Sequence, residues 1–187
     1  MHIETQRLVL RRLRATDYPA LCRIVCDEEV MYAYEGAFSD EEARSWLQGQ
    51  LLRYRRDGFG LNAVILKESG EMIGQCGLSL QSWNGRTVHE IGYLFQKAHW
   101  HRGYATEAAA ACLDYAFRVL AVDEVFSLIR DTNAASRAVA LRNGMKRAGA
   151  FVKRYRGVDM PHEAFSIRRE AWAACPDSAG GPSEAPA

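Results

Sequence analysis

What this chain lacks narrows its possible roles. No run approaches the roughly 18 uninterrupted apolar residues of a membrane-crossing helix. The opening MHIETQRLVLRRLR alternates charge with apolar residues and has no continuous apolar core of a secretory leader. Neither sign of charge is in excess, since 24 Lys and Arg face 23 Asp and Glu for a formal net charge of +1. That total gives no support to a nucleic-acid or membrane-surface binder, although a balanced sum can hide a local basic cleft. The five cysteines (Cys22, Cys26, Cys76, Cys112 and Cys175) show no CxxC pair and no regular spacing. Cys22 and Cys26 stand four apart on one helical face, which favours packing over bridging. An odd, unpaired set reads as reduced thiols, and the expected location is cytoplasmic. Neither GxxxxGK[ST] nor GxGxxG occurs, so the common phosphate-loop and dinucleotide fingerprints are absent.

What remains is an ordinary globular composition, 48% hydrophobic and 25% charged over 187 residues, enough for one domain with its own core. RLVLRRLR (7–14) alternates as a first strand. Asp17 and Pro19 predict a helix start, running to about Cys26. Ser39 with Glu42 is a capping box opening a helix whose Ala43, Trp46, Leu47, Leu51 and Tyr54 recur at helical spacing, with Gly58 at its end. Three antiparallel strands follow at 61–67, 72–81 and 87–95, the last two joined by Asn84-Gly85, a strong hairpin signal. Further elements are a helix from Thr106 to about Leu120, a strand at 123–130, a helix from Asn133 to about Arg142, and strands at 145–152 and 163–172. The order β-α-α-β-β-β-α-β-α-β-β predicts an α+β fold with a mixed, mostly antiparallel sheet flanked by helices. Residues 1–174 read as one domain without repeats. The Pro, Gly, Ser and Ala of 175–187 read as a disordered tail.

The residues richest in chemistry are Trp100-His101-Arg102-Gly103-Tyr104-Ala105-Thr106. A basic loop with a glycine here joins a strand to a helix of small residues. First-turn amides of a helix lack internal partners, and the helix dipole adds partial positive charge there. Gly103 and Ala105 permit close backbone approach and Arg102 adds a cation, so a diphosphate could be held.

HEIGYLFQKAHWHRGYATEAAAACLDYAF together with NAASRAVALRNGM resembles the GNAT N-acetyltransferase superfamily. The likeness is greatest to its RimJ/RimL-like branch, which acetylates ribosomal-protein N-termini, and RLVLRRLRATD is also similar to that branch. The resemblance implies that the loop pattern Q/R-x-x-G-x-G/A falls on Trp100 through Ala105, with backbone amides holding the pyrophosphate of acetyl-CoA. Trp100 replaces the Gln/Arg, and His101 stands where glycine is usual. Arg102, Gly103, Tyr104, Ala105 and Thr106 are the implied pyrophosphate residues. Tyr93, Leu94 and Phe95 take the place of the splayed strand that pairs with the pantetheine arm. One amide there would donate to the thioester oxygen, worth roughly 3–4 kcal/mol in the transition state.

Acetyl transfer needs a neutral amine and a proton for the departing thiolate. N-x-x-S at Asn133 to Ser136 matches the branch in which the serine lies near the sulfur and the asparagine bonds the pantetheine arm. Val139, Ala140 and Leu141 leave that helix without the tyrosine that many relatives use, so Ser136 is the candidate acid. Asn133 is equally a good N-cap. Glu90 is the candidate base, directly or through water, with Glu35 a weaker alternative. Arg142 or Arg137 could meet the 3′-phosphate, with Arg142 preferred. His99-x-His101 lacks a third ligand at suitable spacing, so no metal is expected.

The expected function is therefore transfer of an acetyl group from acetyl-CoA to a primary amine, of a protein N-terminus or a small molecule, by direct attack on the thioester. The rival is a non-catalytic acyl-CoA sensor with the same fold. The acidic Asp27-Glu28-Glu29 and Glu35 either attract a cationic acceptor or are solvated surface. Neither nucleic acid nor membrane is an expected partner, and the chain could be a monomer or a homodimer.

Overall fold

The computed structural model describes residues 2–174, so Met1 and the segment 175–187 read as a tail lie outside the described residues. The strands are β1 (His2–Glu4), β2 (Leu8–Arg12), β3 (Leu61–Leu66), β4 (Met72–Trp83), β5 (Arg86–Phe95), β6 (Glu124–Arg130), β7 (Lys146–Tyr155) and β8 (Val158–Arg168). They form one sheet in the order β1-β2-β3-β4-β5-β6-β8-β7. Every neighbouring pair is antiparallel except β5 with β6. The helices are α1 (Tyr18–Val25), α2 (Asp40–Arg56), α3 (Tyr104–Arg118), α4 (Ala134–Arg142) and α5 (Arg169–Ala173). The expected α+β fold with a mostly antiparallel sheet is what the chain adopts.

Strand alternation splits the apolar residues between the two faces of the sheet. Leu78 on β4, Ile91 and Phe95 on β5 pack with Ala108, Cys112 and Leu113 of α3. The alanines of α3 bring the helix close to the strands, and each large side chain buried there contributes about 1.5–3 kcal/mol. On the other face Leu21 and Ile24 of α1 and Leu47 of α2 pack with Ala63, Met72 and Leu94.

Local chemistry explains most boundaries. The Ser39 hydroxyl accepts from the Glu42 amide at 3.2 Å while the Glu42 carboxylate accepts from the Ser39 amide at 2.8 Å, closing the capping box of α2. Asn84 (φ 48°) and Gly85 (φ 72°) make the left-handed hairpin turn expected between β4 and β5. Asp17 occupies the N-cap of α1, but its carboxylate binds the Arg11 guanidinium at 2.7 and 2.8 Å and the Arg14 amide at 2.8 Å.

Three expectations need correction. Helix α3 begins at Tyr104, two residues before Thr106, because Gly103 at φ 80° lets the chain turn straight into it. The last strand is Val158–Arg168 rather than 163–172, and Arg169–Ala173 is a short helix that buries Trp172 near Phe117. Pro161 does not break β8, because its backbone faces the end of β6, where its carbonyl accepts from the Asp131 amide at 3.0 Å. Third, β7 and β8 join through Arg156 (φ 49°) and Gly157 (φ 79°) into a hairpin, where separate, shorter strands were expected.

Candidate functional site

His101 (φ 59°) and Gly103 (φ 80°) both take left-handed backbone, so the chain coils into a tight loop before α3. A histidine there carries strain that a glycine would not. Among the described residues the backbone amides of 101–106 make no hydrogen bond, and the first internal one is from Glu107 to Gly103 at 3.0 Å. Six consecutive unbonded amides at a helix N-terminus carry partial positive charge suited to an anion. The Trp100 indole donates to the Phe95 carbonyl at 2.9 Å, tying the loop to the end of β5.

The β1–β2 turn braces this loop, a feature the motif reading had not reached. The Glu107 carboxylate accepts from the Thr5 hydroxyl at 2.6 Å, the Arg7 amide at 2.9 Å and the Arg7 side chain at 2.7 Å. Arg7 also donates to the Arg102 carbonyl at 2.9 Å and lies over the Tyr104 ring at 4.5 Å. Burial alone would raise the Glu107 carboxyl, but the hydrogen bonds from Thr5 and Arg7 outweigh it and lower it. Only the pairing of a carboxylate and an arginine 100 positions apart could have signalled this, and local sequence does not carry it.

The sheet opens beside the loop. Strands β5 and β6 pair at His89–Val125 and Glu90–Phe126 only, although β5 continues to Phe95 and β6 to Arg130. Gln96 donates its amide to Ile73 on β4 at 2.9 Å. Alternation therefore turns the backbone of Leu94 towards β4 and that of Tyr93 and Phe95 towards the gap. Two backbones facing an unpaired gap can accept an extended ligand as an added strand.

Glu90 sits where the strands part. Its carboxylate accepts from the Ser79 hydroxyl at 3.1 Å and from the Leu128 amide of β6. Burial raises the Glu90 carboxyl, while Lys153, Ser79, the Leu128 amide and Arg53 hold it partly back. His89 points to the α3 face, near Phe59 at 5.6 Å, and burial lowers its imidazole. Glu35 is ion-paired with Arg130 at 2.5 Å.

Across the gap, the Asn133 side chain caps α4 by accepting from the Ser136 amide at 3.0 Å. The Tyr93 hydroxyl donates to the Ser136 carbonyl at 2.9 Å, with the side chains of Ser136 and Ser127 beside it, and burial raises its phenol well above the usual range. Arg137 is engaged by Glu163 at 3.0 Å and by the Asp131 carbonyl at 2.5 Å. Arg142 is exposed, and its side chain makes no hydrogen bond or ion pair among the described residues. Also among the described residues, no three His, Cys, Asp or Glu side chains gather as metal ligands, and no helix is long and apolar enough to cross a membrane.

A cavity of about 310 Å³ lies on the α2 side, lined by Phe38, Glu42, Ser45, Trp46, Gly49, Gln50, Arg53 and Tyr155. Tyr155 reaches it because the β7–β8 turn folds over α2, where Arg156 pairs with Glu42 and donates to the Glu35 carbonyl at 3.2 Å. Tyr34 lies edge-on to both Trp46 and Tyr155, each with centroids 6.3 Å apart. The charges of Glu90 and Arg53 both act on Tyr34, which burial raises most, so the base candidate and the cavity wall are electrostatic neighbours.

Comparison with known proteins agrees with the fold. A family model described as an acetyltransferase (GNAT) domain matches residues 7–146. YkkB of Bacillus subtilis is 38% identical over 144 residues, covering 75% of this chain and 83% of that protein. The uncharacterized N-acetyltransferase YnaD of Bacillus subtilis is 31% identical over 154 residues, covering 82% and 87%. Among solved structures, a GNAT-family acetyltransferase from Bacillus anthracis superposes with a TM-score of 0.78 at 26% identity, covering 91% of this chain and 99% of its own.

Proposed function

The chain belongs to the GNAT acetyltransferase family, and from that premise we propose that it is an N-acetyltransferase of the RimJ/RimL-like branch. It transfers the acetyl group of acetyl-CoA to a primary amine, of a protein N-terminus or a small molecule, by direct attack on the thioester. The observation that carries this reading is the parting of β5 from β6 just past Glu90, with six unpaired amides at its end.

When bound, acetyl-CoA supplies the activated acyl carbon and a thiolate leaving group. The amides of 101–106 hold its pyrophosphate, with Arg102 adjacent and Gly103 keeping the backbone accessible. Tyr93 and Phe95 offer backbone groups to the pantetheine arm, and a Tyr93 or Phe95 amide donates to the thioester oxygen, where a preorganised donor acts most strongly as charge develops. Leu94 contributes its side chain to the α1–α2 face. Asn133 orders the start of α4, Ser136 supplies the proton to the sulfur, and Tyr93 positions Ser136 through its carbonyl. Arg142, the uncommitted arginine of α4, meets the 3′-phosphate.

Glu90 takes the proton of the incoming ammonium. Alternation places it on the α1–α2 face, the side of the cavity, while Tyr93 faces α3 and α4. Amine and coenzyme therefore approach from opposite faces of the sheet and meet in the gap. A carboxyl raised by burial is a better base than an ordinary exposed one.

The test is free-thiol release from acetyl-CoA with a panel of small amines and N-terminal peptides, alongside calorimetry with CoA. Saturable thiol release with one amine class, and CoA binding in the micromolar range, are expected. Tight CoA binding with no turnover across the panel would favour the sensor, and no CoA binding at millimolar concentration refutes both.

A further inference from the structure

The cavity over α2 is more specialised than an amine pocket requires. Trp46 and Phe38 lie 5.6 Å apart, Tyr155 lines the same space, and the Trp46 indole is fixed by a 3.1 Å bond to Gln75. Among the described residues Glu42 is the one carboxylate of the lining, and it is occupied by Arg156 and the Ser39 amide. Arg53 is half-buried in the lining, and its side chain forms no hydrogen bond or ion pair among the described residues. Asp57, an acid near it, is engaged by Arg56 at 2.7 Å. The acids that could have drawn in a cation are also engaged. Glu28 accepts from the Ala37 amide at 3.2 Å, Glu29 holds Lys97 at 2.6 Å, and Glu35 holds Arg130.

We propose that, granted acetyl transfer, this pocket selects small amines that carry an aromatic body and an anionic group, with the ring among Phe38, Trp46 and Tyr155 and the anion on Arg53. A half-buried guanidinium beside aromatic walls, with its hydrogen-bonding positions unfilled among the described residues, is matched by a carboxylate through paired, charge-assisted hydrogen bonds. The amino group of such a molecule is drawn the other way, to Glu90. A polyamine would bring further positive charge beside Arg53 and Arg156 and find no free carboxylate in the lining. The volume, about 310 Å³, stands at the low end of small-molecule sites, enough for one amino-acid-sized body.

Matched acceptors decide this. Thiol release is measured with benzylamine against 4-(aminomethyl)benzoate, phenethylamine against phenylalanine, and spermidine. The carboxylated member of at least one pair is expected to have a kcat/KM about tenfold or more higher, as one charged hydrogen-bonded contact supports. Arg53→Gln is expected to bring that ratio close to one by raising KM for the carboxylated amine, and Arg53→Lys to keep part of it. Preference for spermidine or for the uncharged members, or an unchanged ratio in Arg53→Gln, overturns the proposal. Should CoA bind while no amine releases thiol, acetyl transfer fails by itself and binding decides the pocket. Tryptophan fluorescence is then titrated with 3-phenylpropionate and 3-phenylpropanamide on CoA-saturated protein. Tighter binding of the carboxylate, lost in Arg53→Gln, upholds the pocket's selectivity. Equal binding, or none, overturns it.

Discussion

Glu90 has two consequences that can be measured separately. Because burial raises its carboxyl, the native protein holds that proton more tightly than the unfolded chain does. The resulting stability is complete below the unfolded value and is lost as pH rises through the raised native one. Glu90→Gln is therefore expected to melt at a higher temperature than wild type at pH 7.5, with the gap closing as pH falls into the ordinary carboxylate range. In kinetics, wild-type kcat/KM should drop as pH falls through the raised value. The Gln variant should lose that acidic limb and run about 10²-fold slower. Ser136→Ala should lower turnover by about 10²-fold with CoA affinity nearly unchanged, since its amide and the Asn133 cap survive. Wild-type turnover in Ser136→Ala removes the serine from the mechanism. Both residue types were legible in the sequence. What was not legible is that Tyr93, read as a backbone contributor, reaches Ser136 with its hydroxyl.

The loop and its brace act together as an element. Gly103 sits at φ 80°, and a Cβ there would approach the Arg7 guanidinium at 3.4 Å. Gly103→Val is thus expected to weaken CoA binding by about tenfold or more, read by calorimetry, through strain and blocked backbone approach. Glu107→Gln leaves the volume but loses the ionic contacts from Arg7. The expected loss of stability is about 1–2 kcal/mol, discounted because Arg7 keeps 42% of its side chain in water. Its carboxyl is lowered in the native state, so this contribution is present at neutral pH and disappears as pH falls through the lowered value. Equal urea midpoints for Glu107→Gln and wild type at pH 7 would show the brace to be dispensable. The loop itself could be read from Gly103 and the alanines after it, because the need for close backbone approach is local. The brace could not, because Thr5, Arg7 and Glu107 meet only when β2 and α3 pack.

At the scale of the whole molecule, the proposed mechanism divides two tasks between the faces of the sheet. Tyr93, proposed for the coenzyme side, faces α3 and α4, and the cavity proposed for the acceptor lies over α2. The short α5 closes the coenzyme-side core, with Trp172 buried against Phe117 and its indole donating to Asp114 at 3.3 Å. Trp172→Ala should cost about 3 kcal/mol, or roughly 6–12 °C in Tm by thermal melt, because the site cannot collapse around the lost ring. The sequence by itself determined the α+β class, the order of the elements from β2 to β8, the capped starts of α2 and α4, the Asn84-Gly85 turn and the glycine loop before α3. Each of these rests on hydrophobic period, backbone freedom or hydrogen bonding within a few residues of chain. Tertiary structure alone decided where β5 leaves β6, which face Glu90 takes, and how Tyr155 and Arg156 close a cavity over α2. Those features depend on groups far apart in the chain that meet only after the sheet forms, and no local pattern encodes such a meeting.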